Sequence, residues 1–261
     1  MMKPRGKSVN KKKTIEAWLE KQETMHMDGS SILQTGEQEE EQAAMITSVE
    51  RQKRSKHRYN IHVGGTYAFS VHEDIMIKHR LLKGEMIPSE NFEQILQDEE
   101  RHSAYFQAVR FISHRPRTVK ELRLKLKEKG YEPELIDYAV ERLKEQKFVD
   151  DKLFAQQLAE SRIYSQKKGR NLVQQELAQK GVPKEHIQSA LERVDPEREL
   201  ASAMELGLKR WKLLSGSGTD KSRKLYGFLL RRGYSSSQVQ KVLRACIDGE
   251  AEMEADEMFL D

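Results

Sequence analysis

The chain has 261 residues, of which 37% are hydrophobic and 34% are charged, and its formal net charge is +4. This balance leaves little for one large core but suits several small cores in series. No apolar run approaches the roughly 18 residues of a membrane span, the basic N-terminus lacks the apolar segment of a signal peptide, and a single cysteine, Cys246, excludes an internal disulfide. We therefore expect a cytoplasmic protein with no membrane partner.

The first 100 residues change character at Met45. Residues 1–44 are rich in Lys, Glu, Gln, Ser and Thr and poor in apolar residues, so we expect a disordered basic extension. Residues 45–100 are predicted to form a small α+β domain, in which Gly64-Gly65 is typical of a type I′ hairpin turn. We expect strands over 46–52, 58–63 and 66–71, and helices over 73–82 and from Ser89 onward that cover this three-stranded antiparallel meander.

Three glycines mark an internal repeat in the rest of the chain. Gly130, Gly181 and Gly233 lie 51 and 52 residues apart, and each follows a Lys or Arg and stands four residues after a leucine. Glycine after a basic residue is a common helix stop. Apolar residues six, nine and ten positions later predict a second helix, and a third precedes each pair. We therefore predict a mostly α-helical chain, with a tandem array of three three-helix repeats over residues 101–150, 151–197 and 198–247.

The small net charge conceals a strong segregation of charges. Residues 101–247 hold 31 bases and 18 acids, a balance of +13, whereas residues 248–261 hold seven acids and no base. A basic array beside a flexible acidic tail indicates a polyanion or an acidic protein as partner, with the tail as an internal competitor. The alternative is that both charge runs are solvated surfaces without a partner.

The densest cationic face follows a predicted capping box, in which Thr118 and Glu121 satisfy each other's backbone N–H groups at a helix start. In the second repeat, an aspartate of Asp150-Asp151 just before a helix from Lys152 is predicted to be its N-cap, a structural role. The candidate partner- or nucleic-acid-binding residues are Arg115, Arg117, Lys120, Arg123, Lys125 and Lys127 in the first repeat, Lys167, Lys168 and Arg170 in the second, and Lys221, Arg223 and Lys224 in the third.

Catalytic motifs are incomplete throughout the sequence. Gly6-Lys7-Ser8 resembles the end of a phosphate-binding loop but has no room for the glycine that such a loop needs upstream. Ser165 and Lys168 have the spacing found in some acyl enzymes without the companion motifs. The histidines at positions 57, 62, 72 and 79 lack zinc-ligand spacing. The sequence therefore predicts no enzyme, no cofactor and no metal site.

The assembled motifs resemble the RecX family, the regulators of the bacterial RecA recombinase. The resemblance covers about residues 45–247, and its most specific part lies in the second repeat. An N-terminal part with Tyr67-Ala68-Phe69-Ser70-Val71 and Leu82-Lys83-Gly84 is similar to the extra domain of family members from Gram-positive bacteria. The motifs of the repeats are Arg115-Pro116-Arg117-Thr118, Lys129-Gly130-Tyr131, Val149-Asp150-Asp151 with Phe154-Ala155, and Lys168-Gly169 followed by Glu176-Leu177 and Lys180-Gly181-Val182.

The resemblance implies a non-enzymatic regulator that lies along the groove of the RecA–DNA filament and limits ATP hydrolysis and strand exchange, in homologous recombination, DNA repair and the SOS response. The RecA filament is then the partner, and we expect a monomer. An array of basic units is compatible with this role, because weak contacts with successive protomers of a polymer add up. The alternative is a DNA-binding module whose helix-turn-helix-like units contact single- or double-stranded DNA nonspecifically, with affinity that falls steeply as salt rises.

Overall fold

The computed structural model describes the backbone of residues 43–258 and the side chains of residues 43–249. The predicted extension over 1–44 lies outside the described residues, apart from Ala43 and Ala44. Two compact units divide the chain: the first ends at Ala108 and also includes Leu126–Ala139, and the second consists of Val109–Lys125 and the residues from Val140 onward.

An antiparallel sheet of four strands forms the first unit's framework, in the order β3-β2-β1-β4. Both glycines of the predicted turn, Gly64 and Gly65, have positive φ, at 56° and 81°, as a type I′ turn requires. The fourth strand was not predicted: it pairs with the start of the first strand, where Ala44 lies opposite Ile87. The strands are β1 (Ala43–Arg51), β2 (Arg58–Val63), β3 (Thr66–His72) and β4 (Met86–Pro88).

A short and a long helix accompany the sheet. Helix α1 (Glu73–Lys78) ends four residues before the predicted limit, because the chain turns at Arg80, whose φ is 50°. Helix α2 (Ser89–His114) runs unbroken for 26 residues, so the predicted covering helix and the first helix of the first repeat are one element, and the expected boundary at residue 100 lies inside it.

Two acidic side chains are buried in the middle of the long helix. Asp98 and Glu99 interrupt the apolar pattern of α2, yet both carboxylates are buried. Asp98 accepts a hydrogen bond of 2.7 Å from Lys78 Nζ. Glu99 lies 2.7 Å from an Arg58 guanidinium nitrogen and accepts a hydrogen bond of 2.8 Å from the backbone N–H of His72. These acids therefore join α2 to α1 and to the sheet, above a core that includes Ile61, Val71, Phe92 and Ile95.

The remaining helices follow the predicted repeats. The helix stops are confirmed: Gly130, Gly181 and Gly233 have φ of 85°, 79° and 90°. In each case the N–H of the next residue donates to a carbonyl five residues back, as Val182 does to Leu177 at 3.1 Å. The helices are α3 (Val119–Glu128), α4 (Pro133–Glu145), α5 (Asp151–Glu160), which continues into a π-helical turn (Ser161–Ser165), α6 (Arg170–Gln179), α7 (Lys184–Glu192), α8 (Pro196–Trp211), α9 (Gly218–Arg231) and α10 (Ser236–Met258).

The second and third repeats each have a separate small core. One contains Ala155, Val173 and Ile187, and the other contains Trp211 and the cysteine at position 246. That cysteine is buried. Helix α10 continues to Met258, so most of the segment predicted as a flexible acidic tail belongs to a helix. Within residues 43–258, every helix is too short or too polar to cross a membrane.

Candidate functional site

The start of α3 carries the predicted capping box. Thr118 Oγ1 accepts a hydrogen bond of 3.2 Å from the backbone N–H of Glu121, and a Glu121 carboxylate oxygen accepts one of 3.4 Å from the backbone N–H of Thr118. The buried Thr118 hydroxyl then donates its own proton to the carbonyl oxygen of Lys180, at 2.7 Å. Thr118 therefore caps the start of α3 and attaches this helix to the second repeat.

The same junction occurs one repeat later, with different side chains. The backbone N–H of Gly169, 51 positions after Thr118, donates to the carbonyl oxygen of Arg232 at 2.8 Å. An acidic side chain from the following repeat also accepts the first helical N–H at each junction. Asp151 accepts from Val119 at 3.0 Å, and Glu199 accepts from Arg170 at 2.8 Å. In the first and second repeats, the start of the middle helix therefore binds the end of the equivalent helix in the next repeat.

Close approach of the Lys120 side chain makes glycine necessary at the first junction. A Cβ atom added to Gly181 would lie 2.1 Å from Cδ and 2.6 Å from Cβ of Lys120. The Lys120 side chain therefore runs across the bare glycine, and its aliphatic part is held in place. Its ammonium group has no ion-pair partner among the residues that the structure describes, and the side chain is exposed to solvent.

A groove lies beside this contact, with a cavity volume of about 600 Å³. Five of its lining residues carry basic side chains, and two carry carboxylates. Both carboxylates already accept backbone N–H bonds at helix starts, Asp150 from Lys152 and Leu153, and Asp151 from Val119. Burial raises the pKa of Asp151, and the bond from Val119 opposes this rise. The basic lining residues of this junction groove are Lys120, Arg123, Lys144, Lys147 and His186.

An ion-pair network stabilises one side of the junction. The Glu121 carboxylate lies 2.8 Å from Lys180 Nζ and 3.4 Å from the Arg115 guanidinium. Burial alone would raise the pKa of Glu121, but the hydrogen bonds from Lys180 and Arg115 outweigh it, so the pKa lies below its ordinary value. The carboxylate is therefore ionised near neutral pH. Arg115 is exposed at the surface, and it also stabilises the junction through this ion pair.

The predicted cations of the first repeat have different surroundings. Besides the ion pair of Arg115, the Arg117 guanidinium donates to the Phe111 carbonyl at 3.1 Å and lies 5.7 Å from that ring's centre. Lys120 and Arg123 both line the junction groove. Lys125 is partly buried and Lys127 is exposed.

The predicted cations of the second repeat are engaged with acids of the protein. Lys167 pairs with Glu205, Lys168 with Glu176, and Arg170 with the buried Glu199 at 2.8 Å. Two of these pairs join the second repeat to the third, so this loop has a structural role whatever else it binds. Its basic composition did not reveal these partners, because they lie 8 to 38 residues away in the sequence.

The predicted cations of the third repeat lie at the start of α9. Lys221 Nζ lies 5.6 Å from the centre of the Trp211 ring, and Lys224 Nζ donates to the carbonyl of Ser215 at 2.9 Å. The exposed Arg223 pairs with Asp220 one turn away, at 3.0 Å. The structure does not bring this group to the junction groove. Instead, the groove gains Lys144, Lys147 and His186, which the charge pattern alone did not single out.

The protein-family models that match the chain divide it into an N-terminal domain and three three-helix domains. The matching family models are the RecX regulatory protein N-terminal domain over residues 44–88 and the first, second and third RecX three-helix domains over 104–143, 150–191 and 197–243. A relative from Halalkalibacterium halodurans, the regulatory protein RecX, is 36% identical over 203 residues, which cover 76% of each chain. The chain belongs to the RecX family.

Further RecX proteins support this membership. The regulatory protein RecX of Clostridium perfringens is 33% identical over 208 residues, which cover 78% of this chain and 97% of that protein. A crystal structure of regulatory protein RecX is similar with a TM-score of 0.62 and 30% identity, and covers 76% of this chain and 98% of its own. The RecX structure from Lactobacillus salivarius, at 21% identity and a TM-score of 0.54, shares the fold. The RecX resemblance expected from the motifs is therefore confirmed.

Proposed function

We propose that this chain binds the filament that the RecA recombinase forms on DNA and lowers its rates of ATP hydrolysis and strand exchange, without catalysing a reaction. In this proposal it acts as a cytoplasmic monomer in recombinational DNA repair and the SOS response. Membership of a family of regulatory proteins supports the regulatory role. The binding surface is proposed separately, and we place it in the junction groove.

The observation that supports the groove as the binding surface is its unbalanced charge. Its five basic side chains outnumber its two carboxylates, even though Lys144 pairs with Glu141 at 3.0 Å, and each carboxylate also accepts a backbone N–H at a helix start. Lys120 and Lys147 are exposed there. Because low-dielectric walls focus the field of like charges, such a groove attracts acidic side chains or phosphates.

Pre-organisation strengthens this argument. A free lysine loses up to about 2 kcal/mol of rotamer entropy when it is fixed in a complex. The aliphatic part of Lys120 is already confined between its helix and Gly181, so a smaller part of that cost arises on binding. Weak contacts made by this groove then add to contacts made by the other repeats, and the overall affinity rises because each additional contact with the same polymer is intramolecular.

Charge reversal within the groove tests the proposal. Lys120→Glu, Arg123→Glu and Lys147→Glu together should weaken inhibition of RecA ATP hydrolysis on single-stranded DNA. At about 0.5–1 kcal/mol for each exposed charge contact, three reversals raise the half-inhibitory concentration about 10- to 100-fold. Lys127→Glu, at an exposed position of α3 that does not line the groove, shows whether the site extends along that helix.

A matched control carries the same change in net charge at another surface. Lys212→Glu, Lys241→Glu and Arg244→Glu reverse three exposed cations in the third repeat, outside the groove. This variant should inhibit nearly as well as the unmodified protein. Equal inhibition by both triple variants, with helix content unchanged, would show that the groove is not the site.

Direct DNA binding is separated by salt dependence. Binding through phosphate contacts weakens with salt at a slope near the number of phosphates engaged. Binding of the chain to bare single-stranded DNA and to the RecA filament should therefore be measured over the same salt series. If bare DNA binds as tightly as the filament at every salt concentration, the nonspecific DNA-binding alternative is the better account.

A further inference from the structure

Two imidazoles and a carboxylate converge where α1 begins, within the first unit. His72 ends β3 and is the N-cap residue of α1, and Asp74 stands in the first turn of that helix. His102 projects from the middle of α2, 28 residues after Asp74. One ligand atom from each of the three lies within 4.8 Å of the others. The packing of α2 against the end of the sheet therefore creates a group that spacing along the chain does not reveal.

The distances in this group match those around a tetrahedral metal ion. Asp74 Oδ2 lies 3.0 Å from His102 Nε2 and 3.3 Å from His72 Nδ1. Zinc binds nitrogen and oxygen ligands at about 2.0–2.1 Å, which places neighbouring ligand atoms of a tetrahedron about 3.3 Å apart. Both carboxylate–imidazole separations are close to this length, so small side-chain rotations would admit the ion.

The hydrogen-bond chemistry at His72 also favours a cation. Its Nδ1 faces two groups of opposite character: the backbone N–H of Asp74 at 3.3 Å, which needs a lone pair, and the Asp74 carboxylate, which needs a proton. No tautomer of a neutral imidazole satisfies both with one nitrogen. A metal ion between Nδ1 and Oδ2 removes the conflict with the carboxylate, because it binds the nitrogen lone pair and the oxygen together, and this coordination bond replaces the 3.3 Å bond from the Asp74 N–H.

The surroundings orient the ligands and leave one side open. The side chains of His72 and His102 are only 13% and 14% exposed, whereas that of Asp74 is 59% exposed. The Phe106 ring lies 5.2 Å from each imidazole, centre to centre, and limits their rotation. An ion can therefore enter past the carboxylate, and a water molecule can occupy the fourth position.

We propose that His72, Asp74 and His102 bind one divalent transition-metal ion, and that zinc is the ion they suit. Two imidazole nitrogens and one carboxylate oxygen favour zinc over calcium and magnesium, which take oxygen ligands. The bound ion connects the start of α1 to α2. Because it binds only the folded domain, it stabilises that domain in proportion to its occupancy.

The test uses the untagged full chain, freed of metal by a chelator and titrated with zinc chloride. Zinc should bind with one equivalent that Asp74→Asn and His102→Gln each weaken by more than about 100-fold, the upper range for loss of a supporting residue alone. Asp74 is exposed, so Asp74→Asn keeps the fold if His102→Gln does not. Cobalt chloride, as a coloured substitute, should give the visible absorption of a tetrahedral site in the unmodified chain only.

The control is a histidine of similar setting without a second imidazole. His79 Nε2 lies 2.8 Å from an Asp98 oxygen and its side chain is 17% exposed, but its neighbour is Lys78. His79→Gln should keep the zinc equivalent. The proposal is overturned if the unmodified chain binds no zinc at concentrations near its own, or if folded Asp74→Asn binds zinc as tightly as the unmodified chain.

Discussion

Substitution of Gly181 by alanine tests the first repeat junction. Two separate costs arise, because Gly181 has a φ of 79° and its missing Cβ would meet Lys120. Gly130, the equivalent residue one repeat earlier, has a φ of 85° and nothing within 4 Å of an added Cβ. The pair Gly181→Ala and Gly130→Ala therefore separates backbone strain from contact.

The expected magnitudes follow from these geometries. An L-residue in the left-handed region costs about 1–2 kcal/mol, and this is the whole expected effect of Gly130→Ala. At Gly181 the added atom would lie 2.6 Å from Lys120 Cβ, which is fixed to the helix, so α3 or the glycine turn has to move. Overpacking of this kind costs about 1–3 kcal/mol more. Gly181→Ala should therefore destabilise by about 2–5 kcal/mol.

Urea unfolding followed by far-ultraviolet circular dichroism measures both free energies. With a slope of about 2 kcal/mol per molar urea, the two variants should differ in midpoint by about 0.5–1.5 M. Gly181→Ala also displaces Lys120, so it should weaken inhibition of RecA ATP hydrolysis while Gly130→Ala does not. Equal midpoints for the two variants would show that the Lys120 contact contributes nothing, and the reasoning from close approach would be wrong.

Three further predictions concern pH and the ends of the chain. Burial would raise the pKa of Glu176, but hydrogen bonds from Lys168 and Arg162 outweigh it, so this pKa is lowered below 4.5. Glu176→Gln should therefore lower the free energy of unfolding by about 1–2 kcal/mol at pH 7. In urea titrations this difference should vanish as the pH falls below the lowered pKa, because the native carboxylate is then protonated too. Deletion of residues 1–42, which stops short of the β1 pairing at Ala43, should leave the melting temperature unchanged, and a fall of several degrees would contradict this. Although α10 continues through most of them, removal of residues 248–261 takes seven acids from a basic chain, so it should strengthen binding to the RecA filament or to single-stranded DNA, most clearly at low salt. Identical binding curves for the full and shortened chains at low salt would show that these acids do not compete with the partner.

Features set by local sequence were predictable. The helix stops at the three repeat glycines depend on a few neighbouring residues, and the period of about 51 residues repeated the signal. Strand β4 was not predictable in this way, because three residues form a strand only when a partner strand lies beside them. The unbroken α2 was missed for a related reason: Asp98 and Glu99 are buried only because Lys78 and Arg58 come from other elements.

The candidate site also combines features that the local sequence predicts with features that depend on distant residues. Composition located the basic surface, but it could not tell a solvent-facing cation from a paired one. Lys168 and Arg170 have carboxylate partners in the fold, whereas Lys147 lies exposed in the junction groove, which only the folded chain forms. The partners are distant in sequence, and one sequence alone contains no record of which charges meet.

The two junctions share an acceptor that mutation cannot remove. The oxygens that receive the Thr118 hydroxyl and the Gly169 N–H belong to the main chain at Lys180 and Arg232, and every amino acid supplies such an oxygen. Replacement of either basic residue therefore leaves these main-chain hydrogen bonds intact, although replacement of Lys180 removes its ion pair with Glu121. The hydrogen bonds that set the distance from one repeat to the next therefore do not depend on which side chains stand at positions 180 and 232.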